Sequence, residues 1–133
     1  MANSGSIVFR TGNWYAALSV DDGNAFSLVD PFATFPADDA GFCCDQIAIY
    51  DPSRDLIPWL LQHQQNAIRN RLRLAVAKGL DTVQSGTASW SYCDFTPDGT
   101  FGLTGQFFDF PNMSLGANRS AHRGRTRTTG ATI

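Results

Sequence analysis

Three short apolar-rich runs near the N-terminus, "SIVFR" (6–10), "NWYAALSV" (13–20) and "AFSLV" (25–29), are bounded by turn residues and read as strands. The connecting "TGN" and "DDGN" carry Gly, Asp and Asn, which tolerate positive φ, so the pattern predicts an antiparallel meander. "DPFATFPADDAG" (30–41) reads as an irregular loop, with two prolines, three aspartates and two phenylalanines, Phe32 and Phe35, turned back onto the core. "FCCDQIAIY" (42–50) reads as a fourth strand.

The longest periodic stretch, residues 55–81, fits a helix. Ile57, Leu61, Gln64, Ile68, Leu72, Ala75 and Val76 recur at helical spacing with one polar break. Asp55 is placed to cap the first turn and Pro58 to sit within it. Lys78 faces the negative end of the dipole, and Gly79 is placed as terminator. At 1.5 Å per residue such a helix is about 35 Å long, enough to cross a sheet. Its other face would gather Gln62, His63, Asn66, Arg69, Asn70 and Arg73, with no carboxylate between Asp55 and Asp81 to pair the arginines locally.

Beyond it, "TASWSYCDF" (87–95) and "FGLTGQFFDF" (101–110) flank "TPDGT", which predicts a hairpin tip with Gly99 in the left-handed conformation. Trp90, Tyr92, Phe101, Leu103 and Phe107 would share the inner face. The expected fold is α+β: an antiparallel sheet of about six strands, ordered β-β-β-β-α-β-β, with one long helix packed on one face. Residues 1–110 would form a single domain, and 111–133 a flexible basic C-terminal tail.

Composition supports one core, because 133 residues is the size of one domain and 43% of them are hydrophobic. The charged residues are unusual in kind. All 12 acids are Asp, and Lys78 is the single lysine beside nine arginines. Average usage would give about eight glutamates in a chain of this length. Interface cores are depleted of Lys and Glu and enriched in Arg and aromatics, so this bias fits a surface that packs against copies or partners. The net charge of −2 divides unevenly, with −6 on residues 1–110 and +4 on residues 111–133. In an extended "HRGRTR", Arg123, Arg125 and Arg127 would leave one side of the chain, a row suited to phosphates or carboxylates.

Candidate chemistry is sparse. A nucleophilic cysteine needs a nearby base, and His63 and His122 are the two imidazoles available to Cys43, Cys44 or Cys93. Adjacent Cys43 and Cys44, with Cys93 alone 49 residues on, make neither a zinc motif nor a secretory disulfide framework, which points to reduced thiols. Asp38, Asp39 and Asp45, or Asp21 and Asp22, occupy turn-rich contexts that explain them without a cation. No catalytic residue, metal or cofactor is therefore assigned. The expected location is intracellular (cytoplasmic), or within a virion, since "MANSGSIVFR" has no signal-peptide pattern and no run reaches membrane-spanning length.

These features together favour a non-enzymatic structural subunit of a homo-oligomeric assembly, such as a virus or phage particle. Arg69, Arg73, Arg119, Arg123, Arg125 and Arg127 are its candidate contacts to neighbouring subunits or nucleic acid. Two other readings remain: a small nucleic-acid-binding module using the same arginines, and a small enzyme or ligand-binding domain. The latter would have an aromatic pocket between helix and sheet, lined by Trp14, Tyr15, Trp59, Trp90 or Tyr92.

Overall fold

The computed structural model describes residues 1–36, 41–78, 90–116 and, as a backbone course, 120–128. Among the described residues the regular structure is almost wholly antiparallel strands. β1 (Ala2–Ser4), β2 (Ile7–Thr11), β3 (Ala16–Ser19) and β4 (Ser27–Val29) form a first sheet in sequential order. The expected meander is present, and β1 is added at its edge. Asp22 and Gly23, at φ 60° and 87°, supply the left-handed turn between β3 and β4 that "DDGN" predicts.

A second sheet follows, again in sequential order: β5 (Phe42–Ala48), β6 (Leu56–His63), β7 (Leu72–Lys78) and β8 (Ser91–Phe95). The expected helix over 55–81 is therefore absent, and with it the α+β class: its described part is the β6–β7 hairpin. Asp55 is no helix cap but a left-handed residue, φ 51°, in the turn between β5 and β6. The hairpin tip is made by Asn66, whose Oδ1 accepts from the Ile68 and Arg69 amides at 2.9 Å each while its own amide donates to Arg69 O. Ile68, assigned to an apolar stripe, is a loop residue 71% exposed. The terminator Gly79 and Asp81 lie outside the described residues.

Burial explains why strands win. Ile57, Trp59, Leu61, Ala75 and Ala77 pack against Ala2, Ile7, Phe9 and Ala16 of the first sheet. Leu60 and Leu72, on the other face, pack against Phe108 and Met113. The central sheet is thus covered on both sides, and every residue from Ile57 to His63 is buried. A helix on one face of a sheet could not bury such an unbroken run, because its far side meets water. "RLRLAVAK" carries the strand period directly: Arg73, Ala75 and Ala77 on one face, Leu72, Leu74 and Val76 on the other. Pro58 is tolerated in this inner strand because its carbonyl accepts from Ile49, just past the end of β5, so its missing N–H costs the ladder only at its margin.

"TPDGT" also departs from expectation. It forms a one-turn helix, α1 (Pro97–Phe101), with Thr96 Oγ1 accepting from the Gly99 amide and Pro97 in the first turn. The left-handed residue is Gly102, φ 68°, at the helix end, and not Gly99.

β9 (Gln106–Leu115) and β10 (Ser120–Thr128) form a two-stranded hairpin over the second face of the central sheet. The expected boundary at 110/111 falls inside β9, and nine residues of the expected flexible tail form β10. Asp109 pairs with Arg125 and Asn112 with Arg123, leaving Phe110 and Pro111 opposite the single residue Gly124. That bulge suits its residues: Phe110 takes φ 50°, and Pro111 has no N–H to lose. Asn70 locks the hairpin down, its side-chain amide donating to Phe108 O and accepting from Phe108 N, both at 2.8 Å. Among the described residues no helix is long and apolar enough to cross a membrane.

Candidate functional site

The two arginines expected on an open helix face are held by carboxylates distant in sequence. Arg73 is wholly inaccessible. Its Nε and Nη2 donate to the two oxygens of Asp94 at 2.8 Å, and its Nη1 to Pro36 O at 3.1 Å. Its guanidinium lies 4.2 Å from the Tyr92 ring centre and 5.6 Å from that of Phe35. Arg71 adds a further bond to Asp94 at 2.6 Å. Burial works to raise the Asp94 pKa, but the hydrogen bonds and charges of Arg73 and Arg71 outweigh it, so the carboxyl titrates below its ordinary range. Arg69, at the hairpin tip, pairs with Asp98 of α1 at 2.9 Å and is much more exposed.

Arg123, Arg125 and Arg127 occupy alternate positions of β10, at register positions opposite Asn112, Asp109 and Phe107. Arg119 lies outside the described residues, as do Asp38 and Asp39.

The candidate reactive groups do not converge. Cys43 and Cys44 are joined by a disulfide, where reduced thiols were expected. Adjacent side chains of a regular strand point apart, but the register shift between Phe42 and Gln46 breaks the pleat at these residues. Burial, then the neighbouring Asp94 charge, pushes the Cys93 thiol above its ordinary pKa, the wrong direction for a nucleophile. His63 is buried in β6 and His122 belongs to β10. Asp21 is a turn former: its Oδ1 accepts from Ser19 Oγ at 2.6 Å and from the Ala25 amide at 2.9 Å, which lowers its pKa. Among the described residues no group of three or more His, Cys, Asp or Glu side chains could hold a metal ion.

The five aromatics expected around one pocket are dispersed. Trp59 is core, its ring centre 5.1 Å from Phe9 and 5.2 Å from Trp90, with its Nε1 donating to Gln46 Oε1 at 2.7 Å. Tyr92 packs under Arg73, and Trp14 and Tyr15 are exposed. Of the five, Trp90 lines a cavity of about 600 Å³ formed with residues of the first sheet. Phe9, Leu18 and Val29 contribute to the same walls. Val20, Phe26 and Leu28 also line it, although they remain 48%, 46% and 74% exposed. Asp21 and Asp30 add carboxylates, and Asp30 Oδ1 already accepts from the Phe32 amide at 2.9 Å.

No family model, curated protein or solved structure matches the chain.

The surface with a chemical character of its own is this concavity: three half-exposed or exposed apolar side chains around one opening, with Asp21 and Asp30 in its lining. The sequence does not reveal it because Leu28 stands in a strand of three residues, with Phe26 just before it, too short for its pattern to say which face is covered.

Proposed function

We propose that the protein is a non-enzymatic structural subunit of a homo-oligomeric assembly, of the kind that builds a virus or phage particle, and that its Arg-rich C-terminal strand contacts neighbouring subunits. The observation that carries this reading is the clustering of Val20, Phe26 and Leu28 around one concavity. Large apolar side chains left in water around one opening are costly for a monomer and are stabilised when a partner covers them. The chain's bias supports it: no Glu, one Lys, and an acidic body of −6 joined to residues of +4.

A small-molecule site fits less well, because three of the large apolar side chains at the cavity remain 46% to 74% exposed and do not enclose it. A nucleic-acid-binding module draws support from the alternate arginines of β10, against the body's negative charge.

Sedimentation velocity from about 1 to 300 μM tests the assembly reading. Concentration-dependent association is expected, and a monomer over the whole range refutes it. Binding to a 20-nucleotide single strand that weakens steeply with salt, without self-association, would install the nucleic-acid reading instead.

A further inference from the structure

We infer that Cys43 and Cys44 are a redox-active site, opened by a dithiol reductant and closed again by oxidation, and that its state sets how β5 pairs with β6. This does not rest on the assembly reading.

A disulfide stabilises a fold mainly by closing a loop, and the more so the longer the loop. Cys43 and Cys44 are adjacent, so their bond closes no loop and staples no two parts of the fold together. Its effect is local. Phe42 stands opposite His63 and Gln46 opposite Leu61, so Cys43, Cys44 and Asp45 share the single partner position Gln62. Neighbouring side chains of a pleated strand point to opposite faces, so adjacent sulfurs can bond only where the pleat is broken. The disulfide and the bulge therefore depend on each other. The site is also within reach of solvent, because β5 is an outer strand of its four-stranded sheet and both cysteines are half-buried rather than sealed.

A thiolate of the dithiol attacks one of the two sulfurs and forms a mixed disulfide, which its second thiol resolves. The Cys43–Cys44 bond breaks, a disulfide closes within the reductant, and two electrons and two protons pass to the cysteines. The thiols remain neighbours in sequence, so an oxidised dithiol closes them again without a search by the chain.

Reduction changes the pairing in two ways. The pleat can re-form, and continuing the register of Gln46 with Leu61 places Asp45 opposite Gln62 and Cys44 opposite His63. Because the bulge holds two residues in excess, this slip returns each side chain to its own face. Each reduced sulfur also gains an S–H donor, opposite a buried Gln62 whose Oε1 has no hydrogen-bond partner among the described residues. Phe42 opposes the slip, since it is buried with its ring centre 5.0 Å from that of Phe32. The change reaches the core through Gln46, the first residue past the bulge. Its side chain accepts from Trp59 Nε1 and donates to Gly12 O and Tyr15 O, between β2 and β3.

The test equilibrates the folded chain with oxidised or with reduced dithiothreitol. Labelling with N-ethylmaleimide after acid quenching and unfolding counts thiols: one, at Cys93, is expected in the oxidised form and all three in the reduced form. Hydrogen exchange at residues 42–46 and 62–64 should differ by about tenfold or more between the two forms, with a shift in Trp emission, while exchange in β7 and β8 stays the same. Cys43→Ser/Cys44→Ser should give the reduced pattern with either reagent, and Cys93→Ser should respond as the natural chain does. If the double variant does not fold, the natural chain in its two forms decides the matter alone. Three thiols after oxidation, a disulfide that yields only in denaturant, or the same exchange at 42–46 and 62–64 in both forms overturns the inference. None of these outcomes touches the assembly reading, and a chain that sediments as a monomer refutes that reading without touching this inference.

Discussion

Replacing Asp94 by Asn removes one charge and almost no volume, which isolates the electrostatic role of the Arg73 pair. Arg73 has no exposure to water, and two of its three hydrogen bonds described above end on Asp94. The amide can accept from one of those donors but presents N–H groups to the other, and the guanidinium stays buried without the Asp94 charge. Arg71, which also donates to Asp94, then becomes a like charge beside it. Removing one partner of a buried ion pair costs about 3–5 kcal/mol. Because Asp94 keeps 22% side-chain exposure and water can approach that end, a value near the bottom of this range, about 3 kcal/mol, is expected. For a domain of this length that is a fall in Tm of about 12 °C. Calorimetry or urea unfolding measures it, and a loss below about 1 kcal/mol would refute the argument that the pair supports the core.

The same variant has a signature in pH. The folded-state pKa of Asp94 is depressed below its ordinary 3.8, so its contribution is fully present above that value and is lost as pH falls through the folded pKa. The acid limb of the natural chain's stability curve should therefore be steeper than that of Asp94→Asn. The exposed Arg69–Asp98 pair is the contrast: Arg69→Ala should cost less than about 1 kcal/mol, and high salt should shrink even that.

Three further perturbations probe the layers. Asn70→Asp keeps the acceptor for the Phe108 amide but removes the donor to Phe108 O, and should cost about 2 kcal/mol by denaturant unfolding, with hydrogen exchange accelerated in β9. Gln46→Leu leaves Trp59 Nε1 without its acceptor and severs the bonds to Gly12 O and Tyr15 O, so about 2–3 kcal/mol is expected, with a changed Trp emission. Thr96→Ala removes the α1 cap and should cost about 1 kcal/mol by thermal melting, whereas Thr96→Ser should cost little.

The arginines show how a local reading fails. With no carboxylate between Asp55 and Asp81, Arg69 and Arg73 looked unpaired, yet their partners lie 29 and 21 residues away, at Asp98 and Asp94. Arg73 and Asp94 are directly opposed across β7 and β8, a cross-strand pairing that exists only once the register is set. The concavity beside β4 was equally hidden, since it is made by Phe9, Leu18, Phe26 and Trp90 from separate elements.

Local turn chemistry and short apolar runs settled part of the architecture without any tertiary information. The meander of residues 7–29, the left-handed turn at Asp22–Gly23 and the strand beginning at Phe42 all follow from side chains that act on their own backbone or on the next strand. The division of charge is likewise a property of the chain alone. What only the tertiary structure decided is the fate of residues 55–78. There, apolar residues are dense enough to satisfy both a 3.6-residue and a two-residue period, so neither period excludes the other. The choice fell to whether one face or two would be buried. The first sheet on one side and the β9–β10 hairpin on the other supply two covers, and a strand presents two opposite faces to them where a helix presents one stripe.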